Sequence, residues 1–241
     1  MTKRITISTL DAMKSSGDKF VMITAYDATF ARLASEAGAE TILVGDSLGM
    51  VLQGHETTIP VSLDAMVYHT ECVARAKPRS LIVADLPFMS FSNSDDALHA
   101  STQLMQAGAQ MVKLEGGTWL SDSINRLVER GVPVCAHLGL TPQSVNVFGG
   151  YRVQDRTPKE AKSILADAVE IQDAGASLLV LECIPAELAG DIASKLDIPV
   201  IGIGAGGGTD AQVLVLHDML GMTESAPKFV QNFMKGADSI Q

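Results

Sequence analysis

The stretch Met111-Val112-Lys113-Leu114-Glu115-Gly116-Gly117 (residues 111–117) decides how this chain is read. Extended backbone sends alternate side chains to opposite faces, so Lys113 and Glu115 share one face while Val112 and Leu114 share the other. The apolar face predicts a strand packed on a hydrophobic layer. The charged face is out of place in such a strand, because an unpaired ion in a protein interior costs several kcal/mol. It must meet partner charges, water, a metal or a bound anion.

Similar apolar runs recur outward from this stretch: Phe20 to Thr24, Thr41 to Val44, Leu81 to Ala84, Met111 to Leu114, Pro133 to His137, Leu178 to Leu181 and Pro199 to Ile203. Each ends in Gly, Asp, Glu or Pro, and most lead into a helical pattern. An eighth run, Val213 to Leu216, follows after a short gap. Continuous apolar strands alternating with helices indicate a parallel sheet covered on both faces. Asp27, Ser62 and Asn93 or Ser94 stand where helix N-caps belong, and Thr157-Pro158-Lys159-Glu160 combines a capping box with proline at the first helical position. Gly38, Gly108 and Gly175 stand at the matching C-termini.

The pattern predicts an α/β fold, a (βα)8 TIM barrel with an N-terminal capping helix over Ile5 to Ser15 that stops at Gly17. Between the seventh and eighth runs the helical signal is weak, which leaves a doubly wound sheet as the alternative. No linker, low-complexity tract or long charge run divides residues 1–241, which read as a single barrel domain.

Composition narrows the function. With 46% hydrophobic and 19% charged residues the chain can bury a large core, and its net charge of -10 argues against nucleic acid or an anionic membrane as partner. The N-terminal MTKRITISTL lacks the apolar core of a signal peptide, and no run reaches the length of a membrane span. The expectation is a soluble, cytoplasmic protein acting on a small molecule. Cys72, Cys135 and Cys183 are odd in number and far apart, which predicts buried thiols rather than a disulfide framework or a CxxC metal site.

Asp46 ends TILVGD, Asp85 ends LIVAD, Glu115 ends MVKLE and Glu182 ends LLVLE. All four fall at C-terminal ends of strands, where barrel active sites are built. Each shares parity with apolar residues behind it (Ile42 and Val44, Leu81 and Val83, Leu178 and Val180), which predicts that all four face the barrel axis. Carboxylates converging on one mouth repel, so a cation must bind or some must take up protons. An oxygen-rich site without His or Cys ligands suits Mg2+ rather than zinc. Any one such acid is as readily a helix cap or turn former; four together with a lysine argue against that reading. Lys113 either pairs with Glu115 or faces a carboxylate substrate.

The segments ITAYD, LVGDSLGMVLQGHETT, YHT, ADLPFM, MVKLEGG, VCAHLGLTPQSVNVFGGY, LLVLECIP and PVIGIGAG resemble the ketopantoate hydroxymethyltransferase family in order and spacing, from about Ile5 to Phe233. The resemblance implies a (βα)8 barrel that transfers a hydroxymethyl group from 5,10-methylenetetrahydrofolate to 2-oxoisovalerate, giving ketopantoate for pantothenate synthesis. It also implies a homodecamer of two pentamers. On this likeness Asp46, Asp85 and Glu115 correspond to the Mg2+ site. Ser47 and Lys113, with Asp46 and Asp85, correspond to residues that hold the 2-oxoacid, and Glu182 to its proton acceptor. Two departures stand out: the sequence stops at Gln241, earlier than the family pattern, and Ala211 replaces a usual glycine.

Several residues keep two readings. His137 either hydrogen-bonds the new hydroxyl or is a structural histidine, whereas His55, His69, His99 and His217 are scattered and read as surface or packing residues. The glycines from Gly202 to Gly208 either form a phosphate loop or permit tight turning. The polar loop GGYRVQDRT is a candidate lid. Rival chemistries are a Mg2+-dependent lyase or mutase of the isocitrate lyase type, a metal-free aldolase with Lys113 as Schiff-base nucleophile, and a non-catalytic assembly protein. The first expects a cysteine after the Lys/Glu strand, where this chain has Gly116-Gly117-Thr118-Trp119.

Overall fold

The computed structural model describes residues 4–150, 152–224 and 226–240. Its strands are β1 (Phe20–Thr24), β2 (Thr41–Val44), β3 (Leu81–Asp85), β4 (Met111–Glu115), β5 (Val134–Gly139), β6 (Leu178–Glu182), β7 (Val200–Ile203) and β8 (Ala211–Leu214). They pair in sequence order, all parallel, and β8 returns to β1 to close the barrel. Closure excludes the doubly wound alternative. The helices are α1 (Ile7–Ser16), α2 (Ala28–Ala37), α3 (Leu48–Val51), α4 (Leu63–Arg75), α5 (Ser94–Ala107), α6 (Ser121–Glu129), α7 (Val145–Phe148), α8 (Pro158–Asp173), α9 (Ala186–Lys195) and α10 (Leu216–Met219).

The caps form as the residue types demand. Asp27 accepts from the backbone of Thr29 and Phe30, Asn93 from Asp95 and Asp96, Ser62 from Ala65, and Thr157 with Glu160 closes a capping box. Gly38 and Gly108 end their helices at φ 105° and 113°, a conformation that costs other residues more than glycine.

Two apolar layers result. Ile42, Val44, Ile82, Ala84, Val112 and Leu114 point outward into the layer under the helices. Phe20, Met22, Leu43, Leu81, Val83 and Met111 point inward, joined by Ile5 and Leu10. The fully buried Leu10 thus plugs the end of the barrel where the strands begin. Lys14 ties the plug down, donating to the Ala193 carbonyl at 2.8 Å and to Asp210 at 2.7 Å.

Two expectations need correction. The eighth strand is Ala211–Leu214 rather than Val213 to Leu216, because pairing of Ala211 with both Phe20 and Ile201 sets where the ladder starts. Leu216 already begins α10, its amide bonded to Thr24 Oγ1 at 2.9 Å. No helix forms between β7 and β8 among the described residues; the loop between them packs directly on α9. There a Cβ on Gly206 would lie 2.4 Å from Ala186 Cβ, and one on Gly208 3.1 Å from Gly190 Cα. The glycine run is therefore explained by close packing. Of the cysteines, Cys135 is buried, whereas Cys72 and Cys183 are only half-buried.

Gly139 shows how tightly the functional end is built. It leaves β5 at φ 88°, and a Cβ there would sit 2.4 Å from the Glu182 carbonyl oxygen. Gly139→Ala should therefore cost about 3 kcal/mol through backbone strain and forced displacement of β6. A urea midpoint equal to that of wild type would show that the strand end can yield.

Candidate active site

The pairing register of the barrel sets the site. It places Asp85 beside Lys113, Glu115 beside His137, and Gly139 beside Glu182 on neighbouring strands. These side chains project into the mouth at the C-terminal ends of the strands, above the apolar inner layer. Lys113 Nζ lies 2.8 Å from Asp85 Oδ1 and 3.5 Å from Glu115 Oε1. Its closer partner is thus on the adjacent strand rather than two residues along its own.

Asp46 reaches the mouth by a route that alternation does not give. In β2 the inward residue is Leu43, and Ile42 and Val44 face the helices, so the parity expected to aim Asp46 at the axis is wrong. The strand ends at Val44, and the turn into α3 swings Asp46 inward. Its amide donates to Asp85 Oδ2 at 3.0 Å. Gly45 leaves the room, since a Cβ there would lie 2.9 Å from Ser47 Oγ. Ser47 itself meets the buried Tyr26 hydroxyl at 2.9 Å.

Gln143 is the residue that sequence reasoning missed. It follows β5 in a short 3-10 turn started by Pro142, and it is buried. Its side-chain amide donates to Asp46 Oδ2 at 2.8 Å and to the Leu86 carbonyl at 2.9 Å, and its backbone amide donates to Glu115 Oε2 at 3.0 Å. One residue from the fifth loop thus braces acids from the second and fourth. The available signal was a glutamine directly after a proline, just past a strand end.

His137 lies among charges on both sides. Nδ1 is 3.3 Å from Glu115 Oε1, and Nε2 is 3.3 Å from Glu182 Oε2. Burial and the nearby Lys113 oppose charge on the ring, but the two carboxylates prevail and raise its pKa to about 9. The acids therefore favour the imidazolium, in which Nδ1 serves Glu115; in the neutral ring Nδ1 accepts from Lys113 Nζ at 3.3 Å.

The same balance sets the other groups. Burial alone would neutralise Lys113, yet Asp85, Glu115 and Asp46 outweigh it and hold the ammonium above its usual pKa. Burial would raise Glu115, but Lys113, His137 and the Gln143 amide bring it down to about 2. Asp46 is pushed well above the carboxylate range by burial and by the charges of Asp85 and Glu115. Glu182 is the most open of the group, with its side chain 14% exposed against 3–4% for Lys113, Asp85, Glu115 and His137. The loop after α7 passes beside it, the Gln154 amide donating to the Cys183 carbonyl at 2.8 Å; Tyr151 of that candidate lid lies outside the described residues.

Donor chemistry fits a hard cation. Four carboxyls (Asp46, Asp85, Glu115, Glu182) face two cations, Lys113 and His137, so full ionisation leaves two negative charges for a divalent ion to offset. Asp85 Oδ1 is buried and faces the Lys113 ammonium at 2.8 Å without a well-aligned hydrogen bond. Among the described residues no three Asp, Glu, His or Cys side chains stand close enough together to hold a metal ion as a group.

The ketopantoate hydroxymethyltransferase family model matches residues 4–241. A 3-methyl-2-oxobutanoate hydroxymethyltransferase 2 of Pseudomonas fluorescens Pf-5 is 58% identical over 239 residues, covering 98% of this chain and 90% of that one. The 3-methyl-2-oxobutanoate hydroxymethyltransferase of Marinobacter nauticus is 59% identical over 237 residues with the same coverage. Among solved structures, a phosphonopyruvate hydrolase in complex with oxalate and Mg2+ shares the fold, with TM-score 0.67 and 14% identity over 90% of this chain and 82% of that one. A match that runs almost end to end, with relatives this similar, makes the chain a hydroxymethyltransferase and a member of the ketopantoate hydroxymethyltransferase family.

Proposed function

We propose that the chain transfers a hydroxymethyl group from 5,10-methylenetetrahydrofolate to 3-methyl-2-oxobutanoate (2-oxoisovalerate), forming ketopantoate for pantothenate biosynthesis through an enolate. The observation that carries this reading is the buried Lys113 ammonium among Asp46, Asp85 and Glu115, with Glu182 at the open edge of the same mouth. A short 2-oxoacid needs one fixed cation for its carboxylate, oxygen ligands for a metal, and a base for C3.

Asp46, Asp85 and Glu115 would hold Mg2+ directly or through waters, and the ion supplies Lewis-acid polarisation of the keto group. Lys113, kept charged by its neighbours, pairs with the substrate carboxylate, and Ser47 donates a hydrogen bond to the 2-oxoacid. Glu182 removes the C3 proton, while the imidazolium of His137, 3.3 Å from its Oε2, steadies the carboxylate. The resulting C3 carbanion equivalent bonds to the one-carbon unit of the donor; the two C–N bonds that held this unit to the folate break, a water supplies the hydroxyl oxygen, and the two nitrogens take up the proton removed from C3 and one from that water, so that tetrahydrofolate leaves. Gln143 acts earlier, by fixing Asp46 and Glu115 before substrate arrives. On family likeness the reading extends to a cytoplasmic homodecamer.

Schiff-base chemistry at Lys113 needs a neutral amine, which the surrounding acids oppose. The lyase reading lacks its cysteine at Gly116 to Trp119.

Three outcomes are expected. Glu182→Gln should bind metal and 2-oxoacid but lose deuterium exchange at C3, followed by NMR, by at least about 100-fold; unchanged exchange would remove Glu182 from the mechanism. Lys113→Arg should raise KM for the 2-oxoacid about tenfold with measurable turnover left, whereas Lys113→Ala should also lose about 3 kcal/mol of stability by leaving Asp85 and Glu115 without their cation. Full activity in a stable Lys113→Ala protein would sink that assignment. EDTA should abolish exchange and Mg2+ restore it; exchange that persists in EDTA would speak for a metal-free route.

A further inference from the structure

Beside the charged groups of the mouth stands a tyrosine that the chemistry above leaves unused. Tyr26 follows the end of β1, is 1% exposed, and its hydroxyl meets Ser47 Oγ at 2.9 Å. Its backbone and its ring are both held. His69 Nδ1 donates to the Tyr26 carbonyl at 2.7 Å, and the ring packs against His217 with centroids 5.6 Å apart. The Thr24 hydroxyl lies beside the same phenol oxygen, and it already accepts the Leu216 amide at 2.9 Å, so its own proton is free for Tyr26. Burial holds the phenol above its usual pKa against the pull of the Ser47 and Thr24 hydroxyls, and the charges of Asp85 and Asp218 add to that rise. The phenol therefore keeps its proton and has it to give.

Ser47 has a single side-chain proton, and the direction of its bond with Tyr26 decides where that proton goes. Its oxygen lies over Gly45 together with Asp85 Oδ2: a Cβ on Gly45 would come within 2.9 Å of the first and 3.4 Å of the second, so the serine hydroxyl opens onto the mouth. If Ser47 donated to the phenol, it would turn lone pairs toward an anionic substrate and repel it. If it accepts from the phenol, its proton is left for the substrate. The series from the Leu216 amide through Thr24 and Tyr26 to Ser47 begins at a group that can only donate, which favours the second direction. We infer that Tyr26 is a positioning residue, whose hydroxyl donates to Ser47 Oγ and thereby leaves the serine proton for an oxygen of the bound 2-oxoacid. The inference rests on the substrate and the Ser47 contact proposed above.

The test compares KM and kcat of C3 deuterium exchange with 3-methyl-2-oxobutanoate in the Mg2+-loaded protein for wild type, Tyr26→Phe, Ser47→Ala and the double variant. Tyr26→Phe keeps the ring and its packing on His217 and removes only the oxygen. It should raise KM about fivefold and move kcat less than about twofold, the pattern of weakened substrate binding without damage to the base. Ser47→Ala should raise KM about tenfold, and adding Tyr26→Phe to it should raise KM no further, because the phenol acts only through the serine. A wild-type KM in Tyr26→Phe, beside a raised one in Ser47→Ala, would overturn the positioning role and leave the Ser47 contact standing. Fully additive rises, or a fall in kcat with KM unchanged, would also overturn it, by showing that Tyr26 acts on the mouth through packing. An unchanged KM in Ser47→Ala would overturn the contact and the inference together. Should Tyr26→Phe not fold, Thr24→Val takes its place: removing the proton behind the phenol should raise KM about twofold, and an unmoved KM would overturn the role.

Discussion

The ion pair between Lys113 and Asp85, 2.8 Å apart and almost fully buried, is the constraint on which the functional end of the barrel depends. A charge in a medium of low dielectric is tolerated only when countercharges are fixed around it. Here the fixing is done by the parallel sheet, whose register brings Asp85 level with Lys113 and Glu115 level with His137. Neither residue can leave the pair without stranding the other. The arrangement of Asp46, Gln143 and His137 then follows as the set of groups that satisfies what the first pair leaves over.

Stability and chemistry are divided along the barrel axis. At the end where strands begin, Leu10, Phe20, Leu81 and Leu178 fill the interior with apolar volume, and α1 closes it. At the other end, polar groups replace that packing, and order comes from hydrogen bonds and charge instead. Glycines mediate the change. Gly45 lets the chain turn Asp46 inward, Gly139 lets β5 pass under the Glu182 carbonyl, and Gly116 makes room for Trp119. Such close approaches are the reason the mouth can hold so many functional groups without opening the sheet.

Electrostatics in the mouth are unevenly shared, and that unevenness is useful. Glu115, braced by Lys113, His137 and the Gln143 amide, is held firmly ionised, whereas Asp46, buried beside two other acids, is pushed toward protonation. A divalent cation bound as proposed would relieve the second condition. Glu182 stands at the open edge of the mouth, the most exposed of these carboxylates.

The sequence by itself determined seven of the eight strands, the helix caps, most of the alternation of β and α, and which acids end the strands. These are local properties: period-two burial, capping oxygens and glycine C-termini act within a few residues of where they are written. It located Asp85, Lys113, Glu115 and Glu182 correctly because each lies within a strand, where parity with Val83, Met111 or Val180 fixes its direction. The same rule failed for Asp46, which lies past the end of β2, where a turn replaces alternation and only the packing of α3 decides which way the carboxylate faces. Tertiary structure also decided that Lys113 pairs first with Asp85, that Gln143 braces two acids from distant loops, that His137 stands between Glu115 and Glu182, and that Trp119 stacks on Phe91. Each of these contacts joins residues on different strands or loops, and their distance is set by barrel closure, a property of all eight strands at once that no local stretch of sequence contains.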